Sequence, residues 1–577
     1  MTPFPELGKG KHPVRDAGYW YRVAYERHRL SSVIEASAAA QTWADWATAE
    51  VDGGRIDGID QAAEAHRAVV EQFSRELARR TDPEEIRRHA ARMQGVAAEA
   101  GYWLGRAGRV REAVAVVESA RAVLLTTRVQ RLPEDLRGRL VRAGRAELFD
   151  RYQEAEQALD TAEHRGYDPA ARLSPPAGTG IERVFPPERL AWSRFQAVRQ
   201  DVGKVLGITT ADEDGPEWNA ADGRLVYLAA ARRGGYAVIL EAVEPRLVAL
   251  PELTATRLDD AVDRFRNLME KDIENGEAWS ALLRWLGTAA MDAVVAGLSG
   301  DDLVIVPVGG LGVLPLHAAI LSGTPLRHAL DVADIRYAPN ARLAIEAIRH
   351  AGPELPGSAL VVGVNRPPGI EDWQALRHAE QEADVISTTL AGRSRRPQPA
   401  TLAAVLAALD STDVWHFACH GFADPTDPLD SAIYLADEPL RLRHLLSRPA
   451  GRQRLALLSA CQTNVPDSRR LDEVIGFPGA LMRAGVSGVI ASLWTVGDTS
   501  TVVLMQRFYE IWLTGVNPHT ALCRAQRWLR TATLAEIQPL LPGARATTRT
   551  GPPQGRWATQ PYAESPWKWA AFTYTGA

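Results

Sequence analysis

The chain has 577 residues, 46% hydrophobic and 24% charged, which is enough for two or three separately cored domains of ordinary globular composition. A formal net charge of −5, from 66 basic and 71 acidic side chains, argues against a nucleic-acid binder held by phosphate contacts. Three cysteines exclude a disulfide framework and suit a reducing cytoplasm, no apolar run reaches the length of a membrane span, and Met1-Thr2-Pro3-Phe4-Pro5-Glu6 has no apolar signal core.

From about Val14 to Gly166 apolar residues recur at helical spacing, as in Ala113-Val114-Val116-Val117-Ala120 and Ala155-Ala158-Leu159-Ala162. Arg109-x-x-Glu112-Ala113 with Ala120 is repeated as Arg151-x-x-Glu154-Ala155 with Ala162, at an offset of 42. Leu104-Gly105 precedes the first copy, and a looser third copy spans Gly58 to Phe73. Residues 1–166 therefore read as an all-helical domain of TPR-like hairpins, or alternatively as an irregular helical bundle. Stacked hairpins present concave faces that hold a regulatory protein partner. Residues 167–223, rich in Pro and Gly with one bridging helix from Arg189 to Leu206, read as a linker.

From Arg224 the period becomes that of strands. Leu225 to Ala230 and Tyr236 to Leu240 flank Arg232-Arg233-Gly234-Gly235 and predict a hairpin. Helices follow, then a buried strand from Leu303 to Pro307. Gly309-Gly310-Leu311-Gly312 matches no nucleotide-binding pattern and reads as a tight turn. A second half begins near residue 346, with strands at Ala359 to Val364, Val414 to Ala418, Leu455 to Ser459 and Val486 to Ser492. Helices are expected at Glu371 to Leu390, Leu402 to Leu409, Asp472 to Ala484 and Thr520 to Leu529. Pro539 to Pro561 reads as a mobile loop before a last strand near Trp569 to Tyr574. Strands alternating with helices predict a mostly parallel sheet between two helical layers.

Two of these strands end in chemistry. Val414-Trp415-His416-Phe417-Ala418 runs into Cys419-His420-Gly421, and Leu455-Ala456-Leu457-Leu458-Ser459 runs into Ala460-Cys461-Gln462-Thr463. Ligands of parallel sheets bind at the carboxyl ends of strands, so neighbouring strands would set the His420 imidazole across one crevice from the Cys461 thiol. Such an imidazole makes a thiolate available at neutral pH. Gly421, with no side chain, and the backbone N–H of Cys461 are the oxyanion-hole candidates. His416 shares the strand face of His420 but lies mid-strand, where a buried, hydrogen-bonded role competes with that of the base. Cys461 itself has a packed core thiol as its alternative; Cys419 and Cys523 read as inert.

H-F-A-C-H-G, L-L-S-A-C-Q-T, D-E-V-I-G-F and A-G-V-S-G-V-I-A-S-L-W-T-V-G-D, before a tryptophan-rich C-terminus, resemble the CHAT family of caspase-like cysteine peptidases associated with TPR repeats. Caspases place the histidine about 50 residues before a Q-A-C-x-G cysteine; here the separation is 41, with Ser459 in place of Gln and Thr463 in place of Gly. The resemblance is to CHAT proteins and separases, covers residues 224–577 in two halves (224–345 and 346–577), and carries over no aspartate specificity. It implies a caspase-like α/β sandwich and a cysteine endopeptidase acting on protein substrates. Asp498, in Gly497-Asp498-Thr499-Ser500, reads either as a helix N-cap or, by the resemblance, as the carboxylate that binds a basic P1 side chain. His317, in a Leu314-Pro315-Leu316-His317 segment common in CHAT domains, reads as structural.

No G-x-S-x-G, H-E-x-x-H, C-x-x-C or Walker A pattern occurs, so no metal, nucleotide or other cofactor is expected, and neither nucleic acid nor membrane is an expected partner. The resemblance adds regulation through the helical domain in a bacterial defence or cell-death pathway. A catalytically silent CHAT scaffold, or a peptidase latent until a partner binds, are the competing expectations.

Overall fold

A computed structural model describes residues 17–28, 33–55, 58–78, 95–120, 137, 140–141, 143–165 and isolated positions from 191 to 218. It further describes 223–577 except 242–243, 352–354, 356, 369–375, 377, 423–429, 447–452, 460–476, 497, 541–558 and 560. The chain divides into two compact units, residues 1–120 with 137–209 and residues 121–136 with 210–577.

The first unit is helical: α1 (Ala17–His28), α2 (Val33–Asp52), α3 (Ile59–Ala78), α4 (Val96–Arg106), α5 (Val110–Ala120) and α6 (Ala146–Arg165). From α1 to α5 each helix packs against the next. Alanines do much of this: Ala40, Ala44, Ala62, Ala65 and Ala100 are fully buried and let backbones approach around Trp43 and Trp103. Several polar groups inside are paired, whereas Trp43 Nε1, Gln61 Oε1 and Gln72 Oε1 are buried without a partner among the described residues. His66 stacks on Trp103 with ring centroids 6.0 Å apart and meets the Thr48 hydroxyl at 3.0 Å, while the Trp103 indole N–H donates to Glu99 at 3.1 Å.

Three turns repeat one geometry. Gly54, Gly108 and Gly144 have φ of 95°, 77° and 70°, where a side chain would be strained. In each, the glycine N–H donates three residues back (Val51, Gly105, Val141) and the following arginine N–H donates five residues back (Glu50, Leu104, Leu140). This is the paired bond of a helix ended by a left-handed glycine. The last two turns share the sequence Arg-Ala-Gly-Arg and lie 36 residues apart. Arg109 precedes its helix, whereas Arg151 sits in the second turn of α6. The match at an offset of 42 therefore pairs positions that are not equivalent; Arg145 is the counterpart of Arg109.

The second unit is built on an eleven-stranded sheet of order β3-β2-β1-β4-β5-β14-β13-β12-β8-β6-β7. The strands are β1 (Arg224–Ala231), β2 (Gly234–Leu240), β3 (Arg246–Leu250), β4 (Asp301–Pro307), β5 (Ala333–Tyr337), β6 (Ala359–Gly363), β7 (Ser394–Arg395), β8 (Val414–Ala418), β12 (Leu455–Leu458), β13 (Gly488–Ser492) and β14 (Phe572–Gly576); β9 (Gly421–Phe422), β10 (Ala432–Tyr434) and β11 (Pro439–Arg441) form a separate three-stranded sheet. Pairing in the eleven-stranded sheet is parallel except for β1 with β2, β2 with β3 and β13 with β14, whereas the small sheet is antiparallel throughout. The expected hairpin closes through Arg232-Arg233, with Ala231 opposite Gly234.

Helices cover both faces. On one lie α7 (Ala255–Lys271), α8 (Gly276–Leu286), α10 (Ala379–Thr389), α14 (Asp498–Trp512) and α15 (Pro518–Thr531). On the other lie α9 (Ala341–His350), α11 (Leu402–Leu409), α12 (Leu442–Leu446) and α13 (Phe477–Arg483). Strand alternation sorts the core between them: Val414, Leu455, Leu457 and Ile490 join the first layer, and Trp415, Phe417, Ala456 and Leu458 the second. Each fully buried Leu or Val adds roughly 1.5–3 kcal/mol of apolar transfer.

Several expectations need correction. No strand was expected at β3, β5, β7 or β9 to β11. The expected helix from Glu371 begins, among the described residues, at Ala379; Leu376 is outside it, with its N–H donating to Asn365 O at 2.9 Å. Trp569 closes a short helix, Pro566–Trp569, and the last strand starts at Phe572. Residues 309–313 form the expected tight turn, as a short 3-10 segment with Gly309 at φ 62°. Of the helix expected from Asp472, residues 472–476 lie outside the described residues, as does most of the expected loop after Pro539. The described positions between 191 and 205 are helical, in the expected bridging helix.

Candidate active site

The site is built on β8 and its neighbour β12. They run parallel with Val414 opposite Leu455 and Phe417 opposite Leu458. Beyond the last pair, the Ser459 N–H still donates to Phe417 O at 2.9 Å, so contact with β8 continues one residue past β12. His420 follows β8 by two residues and is 8% exposed. Its carbonyl accepts from Tyr434 N–H at 2.9 Å, which anchors it to the small sheet. That bond makes Gly421 and Ile433 a non-hydrogen-bonded antiparallel pair, in which the Gly421 N–H points away from β10.

Cys461 lies outside the described residues, two positions beyond Ser459. Asp498 is the first residue of α14, one turn ahead of Val502; its side chain also lies outside the description. The other candidates are visible. His416 is fully buried, and both ring nitrogens are engaged, Nε2 with Glu382 Oε1 at 3.0 Å and Nδ1 with the Tyr509 hydroxyl at 3.3 Å. A base needs a free nitrogen facing its substrate, so the structure assigns His416 to the packed reading.

His317 is held between the Tyr337 hydroxyl at 2.9 Å and Ala570 O at 3.0 Å, and burial lowers its pKa to about 4. It is structural, as expected. Cys419 points to the opposite face from His416, with Sγ 3.9 Å from Val362 O, and burial pushes its thiol far up. Cys523 sits on α15 with Sγ 3.5 Å from Ile335 O, its thiol pushed up to about 12 by burial first and then by Asp334. Both thiols are expected to resist iodoacetamide in the native protein at pH 8 and to react once guanidinium unfolds it, read by peptide mass spectrometry; native labelling of either would contradict the packing described.

Sequence reasoning missed Glu382, Ser459 as a side-chain donor, and Tyr509. Ser459 was visible as a departure from glutamine, but its partner Glu382 is 77 residues away. Among the described residues no cluster of three or more His, Cys, Asp or Glu could hold a metal ion, and no helix is long and apolar enough to cross a membrane.

A mostly parallel sheet covered by helices on both faces, with a histidine leaving the carboxyl end of one central strand and a small antiparallel sheet fastened behind it, is a caspase-like α/β architecture. The profile of the CHAT domain matches residues 279–577, more than half of the chain, and the protein belongs to that family. Similar solved structures include gingipain R, an Arg-specific cysteine proteinase, at 12% identity and a TM-score of 0.33 over 62% of this chain and 78% of that one. They include the complex of pro- and mature domains of Porphyromonas gingivalis RgpB, at 13% identity and 0.29 over 56% and 75%. Separase from the Saccharomyces cerevisiae separase–securin complex matches at 9% identity and 0.36 over 97% of this chain and 53% of that one. A comparison with curated proteins gave no significant match.

Proposed function

We propose that this protein is a cysteine endopeptidase in which His420 and Cys461 form the catalytic dyad. The register of β8 and β12 is the observation that carries the reading. Phe417 and Leu458 are paired, and His420 and Cys461 each follow their member of that pair by three residues. Neighbouring strands lie about 4.8 Å apart, so both residues emerge at one crevice edge.

In this mechanism His420 takes the thiol proton and the Cys461 thiolate attacks the scissile carbonyl carbon. The oxyanion is held by the N–H groups of Gly421 and Cys461, and the outward direction of the Gly421 N–H supports that assignment. The imidazolium then returns its proton to the leaving amine as the C–N bond breaks, leaving a thioester. Water attacks the thioester with His420 as base, releasing the acid and the thiol. No cofactor enters.

Asp498, at the start of α14, is assigned to a basic P1 side chain through its match to the family motif; a carboxylate pairs bidentately with arginine. The helical unit is assigned to a protein partner that regulates cleavage, in a reducing compartment such as the cytoplasm and within a defence or cell-death pathway. Fluorogenic peptides varied at P1 test the reading. Turnover after arginine is expected, abolished by Cys461→Ala, while Asp498→Ala lowers kcat/KM for arginine by about 10²-fold, on the order of 3 kcal/mol for a buried charged pair. Arginine cleavage unchanged in Asp498→Ala removes the specificity assignment alone; a wild-type protein silent toward every peptide and toward thiol-directed acylating probes favours the scaffold reading.

A further inference from the structure

We propose that Glu382, His416, Tyr509 and Ser459 form a buried positioning chain that fixes how the segment carrying Cys461 leaves β12, with Ser459 as its working end. The inference deepens the peptidase reading and rests on it.

The four side chains come from four elements: α10, β8, α14 and the residue just past β12. His416 and Tyr509 are fully buried and Glu382 is 4% exposed, yet all are polar. Their contacts form one continuous chain. Burial, with Glu382 nearby, keeps the Tyr509 phenol well above its ordinary pKa, so it stays an O–H donor. Its hydroxyl meets His416 Nδ1 at 3.3 Å, and His416 Nε2 meets Glu382 Oε1 at 3.0 Å. The Ser459 hydroxyl donates to the same oxygen at 2.6 Å. Around them lie Val414, Leu457, Ile386 and Phe508, where an apolar set of similar volume would satisfy packing without desolvating four polar groups.

What the chain adds is direction at one place. Ser459 is fixed twice, by its N–H to Phe417 O on β8 and by its hydroxyl to α10. Two residues span at most about 7 Å, so fixing residue 459 limits where Cys461 can stand relative to His420. Catalytic geometry is sensitive to far smaller displacements, about 1 Å costing about 10²-fold, so loosening the residue from which the cysteine segment starts should be felt in the reaction. Ser459 is bonded to Phe417 O and Glu382 Oε1 and is assigned to act through the cysteine segment, as a positioning residue.

The test reads Cys461 directly, through its rate of alkylation by iodoacetamide at pH 7, followed by peptide mass spectrometry on the full chain with Cys419 and Cys523 as internal references. His420→Ala sets the rate of an unassisted thiol. Ser459→Ala is expected to slow alkylation about tenfold, toward that rate, as the thiolate fraction falls, and Ser459→Thr to restore it. Gln526→Leu, which removes two buried bonds to Trp569 O and Phe572 O elsewhere in the sheet, is expected to lower the melting temperature without slowing Cys461. If Ser459→Ala reacts at the wild-type rate while His420→Ala is slow, or if Gln526→Leu slows Cys461 equally, the positioning role is overturned and the dyad stands. If wild type and His420→Ala react alike, the dyad itself fails and the inference falls with it.

Discussion

His420→Ala is expected to lower kcat/KM by about 10³- to 10⁴-fold with KM little changed, because in the proposed dyad the imidazole serves both to form the thiolate and to protonate the leaving amine. The backbone here is held independently of the ring: the His420 carbonyl is bonded to Tyr434 N–H, and the strand before it is paired on both sides. The variant is therefore expected to melt within a few degrees of the wild type. His416→Gln supplies the contrast, since it removes a fully buried ring bonded at both nitrogens and should show its main effect in stability. Full activity in His420→Ala, measured on the best peptide from the P1 series, would exclude it as the base.

Trp279→Ala is expected to cost about 3–5 kcal/mol, the range for deleting a large aromatic from a packed core. The ring is fully buried on α8, meets Phe265 edge-on at 6.1 Å between centroids and leans on Trp494 at 5.2 Å. Its indole N–H also donates to Ile273 O at 2.8 Å, so truncation leaves a carbonyl without its donor as well as a cavity. Urea unfolding followed by tryptophan fluorescence measures the loss, which corresponds to a fall of about 5 °C in melting temperature for a unit of this size. The effect should reach the site, because Trp494 lies between β13 and Asp498 and bonds Trp567 O at 3.0 Å. A loss below about 1 kcal/mol would mean the core relaxes around the gap.

How much of this was readable in the sequence follows from what each strand is made of. Val226, Val304, Val361 and Leu457 stand in uninterrupted apolar runs, because their strands are buried on both faces, and such runs announce themselves. β5 does not: Ala333-Asp334-Ile335-Arg336-Tyr337 is wholly buried but carries two charges whose partners lie far along the chain, an ion pair with Arg527 for Asp334 and a hydrogen bond to Gly576 O for Arg336. β9 to β11 have two or three residues each, too few to show a period. The offset of 42 pairs positions that are not equivalent because alanine-rich helix faces resemble one another, whereas the left-handed glycine turns at Gly108 and Gly144 recur at 36 residues.

The candidate site was legible to the same degree. His420 could be placed because position at a strand end is a local property. The occupation of His416 by Glu382, 34 residues earlier, and by Tyr509, 93 residues later, is set by which helices cover the sheet, and no local pattern encodes that.

The place of β14 bears on synthesis. This strand, residues 572–576, lies between β5 and β13 and is the element that joins the two halves of the sheet. A ribosome delivers it after every other strand, so until translation has passed residue 576 the half carrying His420 has no partner along its β13 edge. The nascent chain must hold that open edge in solution, a state that favours chaperone capture. Translation thus delays assembly of the complete sheet until the whole second unit has been made, and a stalled or truncated product lacks the strand that joins its halves.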